Sequence, residues 1–256
     1  MEFWMAGTSP MAFALALAVT LFAGFVKGAI GFAMPMIMIS AFSSFLPPET
    51  ALAGLILPTV VANLGQAFRQ GVAPALATIR RYWRTISATI IFIVISAQFV
   101  RVIPQDLFLF ALGAPITLFA AAQLMGASLA LKLQHRNRAE WALGVIAGLY
   151  GGISGVWGPP LLVFLLSIGA DKVETVRVQG VVFLIGAVVL TTAHLQSGVL
   201  NAETVPFSLA LVLPSLIGMA LGQWVQDRLD QLRFRRWTQA LLVLTGLNLM
   251  RRAVGL

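Results

Sequence analysis

The chain has no cysteine, two histidines (His135 and His194) and only nine acidic residues among its 256. Without thiols there is no disulfide framework, no thiolate nucleophile and no sulfur-ligated metal site, and two histidines alone cannot build one. No cofactor is expected. Paired intramembrane carboxylates, a Ser-His-Asp set, an HExxH helix and a Walker-type loop are all missing, so nothing in the sequence calls for an enzyme. Residues 1–10 hold Glu2 and no Lys or Arg, and so lack the basic segment of a cleaved signal peptide. Charged residues are 10% of the chain, too few to solvate a globular surface. Hydrophobic residues are instead 59%, and the mean hydropathy is +0.92. This is the composition of an all-α integral membrane protein whose first partner is the lipid bilayer.

Eight apolar segments follow one another, approximately Met11–Phe45, Ala51–Phe68, Tyr82–Val100, Leu107–Leu131, Trp141–Ile168, Val178–Leu195, Val205–Val225 and Trp237–Met250. Most approach the roughly 20 residues that cross a hydrocarbon core of about 30 Å. The first and fifth are too long, and each contains helix breakers. The fifth carries Gly151, Gly152, Gly155, Gly158, Pro159 and Pro160 within ten positions. In lipid, such a backbone must be buried in protein or line a wet cavity. The first carries Gly24, Gly28 and Gly31, the spacing of Gly151, Gly155 and Gly158 shifted by 127 residues. Gly71-Val72 matches Gly198-Val199 at the same shift. The chain therefore reads as a duplication.

Loop charge fixes how the copies are related. The net charge is +8, but the Lys and Arg residues sit mostly in short loops, as topology-setting charges do, so no nucleic-acid partner is expected. If all eight segments cross once, the two sides collect nine and seven basic residues. If the two broken segments are re-entrant hairpins, one side collects thirteen: Arg69 to Arg84, Lys132 to Arg138, Lys172, Arg177 and Arg228 to Arg236. The other keeps three, Arg101, Arg251 and Arg252, and Lys27 stays inside the membrane. The charge bias selects the hairpins, with both termini outward. Each repeat is then a broken or re-entrant Gly-rich hairpin plus three transmembrane helices, and an odd number of crossings inverts the second copy. The predicted fold is two inverted repeats, residues 1–132 and 133–256, forming one structural domain. Inverted repeats with broken helices meeting near the midplane are a common plan of secondary transporters.

The glycine motifs, Gly24 to Gly31 and Gly151 to Pro160, together with the size and the duplication, resemble the TauE/SafE sulfite exporter family. The resemblance covers nearly the whole chain. It implies a multi-pass protein of the prokaryotic cytoplasmic membrane that moves sulfite, sulfoacetate or other organosulfonates by alternating access. A channel, or a carrier of another small organic anion, is the alternative; the driving ion, proton or sodium, and the oligomeric state are open. Phe32, Ala33 and Trp157 depart from the family's richer glycine pattern and bear on which anion fits.

The residues themselves also point to an anion. Half-helices starting near Met34-Pro35 and Pro159-Pro160 would aim two amino ends at the membrane centre, each with unpaired N–H groups and about half a positive charge. Gly28, Gly31, Gly155 and Gly158 would let the backbone approach a ligand; packing of helices through small residues is the competing reading. A lysine at membrane depth costs at least about 2.5–3.5 kcal/mol, so Lys27 needs a reason. It is read as a countercharge, against snorkelling or pairing with a carbonyl. Asn63 and Gln66, with Ser154, Trp157 and Gln179, complete the candidate substrate-binding set. His194, Glu49 and Glu174 read as structural, and Trp83, Trp141, Trp224 and Trp237 as interfacial anchors.

Overall fold

A computed structural model describes residues 4–128, 130–131, 135–225 and 230–255. Lys132 and Arg228, two of the topology-setting residues, lie outside these. Among the described residues all regular structure is helical, with no strand. The first half of the chain holds α1 (Pro10–Ile30), α2 (Met34–Phe42), α3 (Pro48–Ala67), α4 (Val72–Arg81), α5 (Trp83–Ala97) and α6 (Gln105–Leu124). The second holds α7 (Arg136–Ser154), α8 (Gly158–Ser167), α9 (Lys172–Gln196), α10 (Thr204–Ala210), α11 (Val212–Val225) and α12 (Gln231–Ala253). Five helical stretches are long and apolar enough to cross a membrane: Pro10–Ala29, Pro48–Ala67, Gln105–Leu124, Val173–Gln196 and Thr204–Val225.

The breaks arise where the sequence places them. Gly31 ends α1 at φ 85°, its N–H donating to Lys27 O at 2.7 Å, and Gly155 ends α7 at φ 70°, its N–H donating to Gly151 O at 2.7 Å. A left-handed residue is the ordinary way to stop a helix, and glycine adopts it without strain. Prolines then restart the chain in the first turns of α2 and α8.

Helix pairing exchanges the two halves. α1 packs along α11 as α7 packs along α5, while α3 pairs with α9 and α6 with α12. Small residues set the first two contacts. A Cβ at Gly24 or Gly28 would collide with the backbone carbonyls of Ser215 or Met219, and one at Gly218 or Gly222 with those of Leu21 or Phe25. On the α5–α7 side the hydroxyls of Thr85, Thr89 and Ser96 donate to the carbonyls of Glu140, Gly144 and Gly148 at 3.3, 3.3 and 3.1 Å.

The chain path follows from particular contacts. α3 and α9 run antiparallel: Gln66 and Gln70 reach Val176 O and Val173 O, while Arg101, near the opposite end, bridges Glu49 and Ser197 O. Leu131, ahead of α7, donates its N–H to Ser167 Oγ at the end of α8 at 2.7 Å. Near the start of α1, Phe13 packs with its ring centroid 6.1 Å from that of Phe207, whose ring lies with Phe42, the last residue of α2, at Gly54. Each hairpin thus returns towards the end of the bundle from which it set out. The start of α9 shares its end with Arg81 and Arg84; this is the basic end.

Two elements depart from the expected segments. α4, ahead of the third, is a separate short helix with exposed apolar residues and a basic end. The seventh is broken at Leu211 into α10 and α11. A proline explains why α10 presses on α3: Pro58, inside α3, has no N–H to give to the Gly54 carbonyl. Ser208 of α10 accepts from Leu57 N at 3.2 Å and donates to Gly54 O at 3.5 Å, satisfying groups that lipid could not.

Candidate functional site

The two hairpin turns meet. Phe32, Ala33, Pro35 and Met36 from the first, and Gly155 to Gly158 from the second, face one small pocket. Thr59 and Asn63 of α3 and Phe183 of α9 complete its wall. The first residues of α2 and α8 both lie on this pocket, so the positive ends of two helices converge on it, each carrying N–H groups without an intrahelical partner. Ala33 holds a left-handed φ of 77° without being glycine. Such a conformation costs about 1–2 kcal/mol, and strain of this kind gathers at ligand sites.

Lys27 lies immediately behind the pocket. Its side chain is 3% exposed, and Nζ donates to Asn63 Oδ1 at 2.6 Å, with the Phe183 ring centroid at 6.0 Å. It occupies the last turn of α1, where the partial negative charge of the helix end favours a cation. Because an ammonium only donates, it fixes the amide: Oδ1 faces the lysine and Nδ2 faces away. Asn63 Nδ2 is buried without a partner, and so is the Thr59 hydroxyl one turn earlier on the same wall. Unsatisfied buried donors cost about 1–3 kcal/mol each, and in a native fold they ask for an occupant.

The structure brings together Lys27, Asn63, Gly155, Trp157 and Gly158. It places the other candidates elsewhere. Gly28 is buried in the contact with α11, where a Cβ would stand 2.2 Å from Met219 O, so close helix packing accounts for it. Gly31 supplies the turn and is not part of the pocket wall. Ser154 spends its hydroxyl within the turn, donating to Tyr150 O at 2.6 Å and accepting from Val156 N at 3.0 Å. Gln66 donates to Val176 O across the α3–α9 contact. Gln179 is buried on α9, one turn before Phe183. His194 braces α9 against α7, one ring nitrogen 3.0 Å from Gly152 O and the other 3.1 Å from Ser197 Oγ.

Trp157 enters the pocket wall through a slot cut by glycines. A Cβ at Gly151 or Gly186 would fall 2.7 or 3.0 Å from its ring, and Phe183 meets it edge-on at 6.3 Å. Thr59 and Phe183 were not among the residues singled out from the sequence. The only trace they leave there is helical spacing, Thr59 four before Asn63 and Phe183 four after Gln179.

A bundle of membrane-length helices that folds two broken hairpins onto a buried pocket with unpaired donors defines a membrane transport protein. The family model described as sulfite exporter TauE/SafE matches residues 16–249, and the chain belongs to this family. Neither the curated proteins nor the solved structures give a match to this chain.

Proposed function

We propose that the protein is a secondary transporter of small sulfur-containing anions, such as sulfite, sulfoacetate or another organosulfonate, and that the pocket between the hairpin turns is its substrate site. One observation carries this reading: Lys27 pins the Asn63 amide so that Nδ2 and the Thr59 hydroxyl stand unpartnered beside two helix starts. A sulfonate or sulfite oxygen accepts hydrogen bonds and is negatively charged, which is what these groups lack. The apolar remainder of the wall, Phe32, Val156, Trp157 and Phe183, excludes water and strengthens the attraction.

Alternating access would rock one repeat against the other around this pocket, with the repeats inverted across the cytoplasmic membrane of a prokaryote. Support comes from the exchange of helix pairs, the return of each hairpin and the clustering of basic residues at one end. Counterflow in liposomes tests the carrier: trans substrate should accelerate uptake of labelled sulfite. Flux without acceleration would make the protein a channel, and no flux of any of these anions would end the proposal. Single cysteines at Arg80, Arg136 and Arg235 test the inversion, since all three should react only with membrane-permeant reagents. The Arg235 side chain lies outside the described residues. Labelling of Arg80→Cys and Arg235→Cys from opposite sides would defeat the inverted arrangement.

A further inference from the structure

A second cavity, with charged walls, lies at the basic end of the bundle between α4 and the first turns of α9. Its wall includes Ala77, Thr78, Arg81, Tyr82, Glu174 and Arg177. Its charges do not cancel. Arg81 Nη1 meets Glu174 Oε1 at 2.8 Å, and the Tyr82 hydroxyl donates to the same oxygen at 2.8 Å, so the carboxylate is already engaged. Arg177 spends its hydrogen bonds on neutral oxygens, Nε on Thr78 Oγ1 at 3.2 Å and Nη1 on Gln70 Oε1 at 2.9 Å. These contacts orient the guanidinium without neutralising it. Two guanidiniums stand against one carboxylate, and the guanidinium fork matches the oxygens of a phosphate.

α4 gives the depth of this cavity. Ten residues are too few to cross a bilayer. Ala75 and Thr78 are buried on one side of the helix, while Val72 and Leu76 are exposed and Arg80 and Arg81 close its end. A short helix with exposed apolar side chains and a basic end belongs at the boundary between head groups and acyl chains. At that level the dense anion is the lipid phosphate, and basic pockets between helices on one membrane face are built to take it. We propose that the cavity between α4 and α9 binds the phosphate of an anionic phospholipid through Arg177 and Arg81.

The test is thermal unfolding of the purified full-length protein in neutral detergent, titrated with phosphatidylglycerol, phosphatidylcholine or inorganic phosphate. Phosphatidylglycerol should raise the transition, and the other two at equal concentration should not. In the Arg81→Gln/Arg177→Gln protein its binding should weaken about thirtyfold, roughly fivefold per arginine at a membrane surface. Removing Arg177 also removes two structural hydrogen bonds, so Ala77→Glu provides a second variant. Ala77 is exposed, and this substitution keeps both arginines and their bonds while bringing a carboxylate to the cavity. It should abolish the phosphatidylglycerol shift without lowering the lipid-free transition, since the new carboxylate would stand one turn before Arg81 on the same helix face. An equal shift with inorganic phosphate would assign the site to a free anion and overturn the lipid proposal. So would an absent phosphatidylglycerol shift in the unaltered protein, or an equal one in Ala77→Glu.

Discussion

The first hairpin turns through two left-handed residues, Gly31 and Ala33, and carries a buried lysine one turn before the break. The second turns through Gly155, and its contribution to the pocket is a tryptophan seated between glycines of two helices. Proline sharpens the contrast: α2 has one in its first turn, whereas α8 has Pro159 and Pro160 and so offers fewer backbone donors. The shared plan builds the turn, and the unlike residues divide its work, charge from the first hairpin and shape from the second. Two broken hairpins need breakers in both but a buried lysine in only one, since a second would add desolvation and repulsion.

Removing the shape should have the largest effect. Trp157→Ala empties a slot that neighbouring backbone cannot refill, and a loss of about 3–5 kcal/mol in stability is expected from denaturant unfolding. A loss below about 1 kcal/mol would mean that the tryptophan does not organise the second hairpin. Removing the charge should act on binding instead. Lys27→Met is expected to weaken anion affinity by roughly tenfold to a thousandfold while the protein stays folded, and Lys27→Arg to retain part of it. Equal calorimetric affinity in Lys27→Met and the unaltered protein would leave the helix starts as the pocket's anion-binding device.

Thr59→Val separates occupancy from packing. Deleting an unpartnered buried hydroxyl should raise the stability of the empty protein by about 1 kcal/mol and weaken anion binding several-fold; a fall in both would show that the hydroxyl already has a structural partner. The smallest effect is expected at the first turn. Ala33→Gly relieves a left-handed alanine but adds backbone entropy to the unfolded chain, for a net gain of about 0.5 kcal/mol. A thermal transition lowered by this substitution would argue that Ala33 is not strained.

The helix breaks were legible because glycine and proline act through the local backbone, and the starts at Met34 and Gly158 fall where the prolines predict. The pocket wall was only partly legible. Gly24 and Gly28 have the spacing of Gly151 and Gly155, but whether a glycine meets a ligand or a neighbouring carbonyl depends on which helix lies opposite. For Gly28 that is α11. Thr59 is likewise one of several buried hydroxyls, distinguished only by what it faces. Two shorter helices were hidden for different reasons: α10 is apolar enough to merge with α11 on hydropathy alone, whereas α4, with two arginines in its ten residues, fell in the loop ahead of the third segment.

Four of the six tryptophans stand at one end of the bundle: Trp83 at the start of α5, Trp141 and Trp237 in the second turns of α7 and α12, and Trp224 near the end of α11. All four are exposed, and Trp83 and Trp141 meet edge-on at 6.0 Å. Trp4, ahead of α1, belongs to the opposite end. Indole rings hold their level in a bilayer, so the basic end is moored and the opposite end rides at whatever depth the acyl chains allow. A thinner or thicker membrane is therefore accommodated at the far end, where the first hairpin sets out and returns. A change in bilayer thickness is then expected to act on the pocket more through the arm that carries Lys27 than through the arm that carries Trp157.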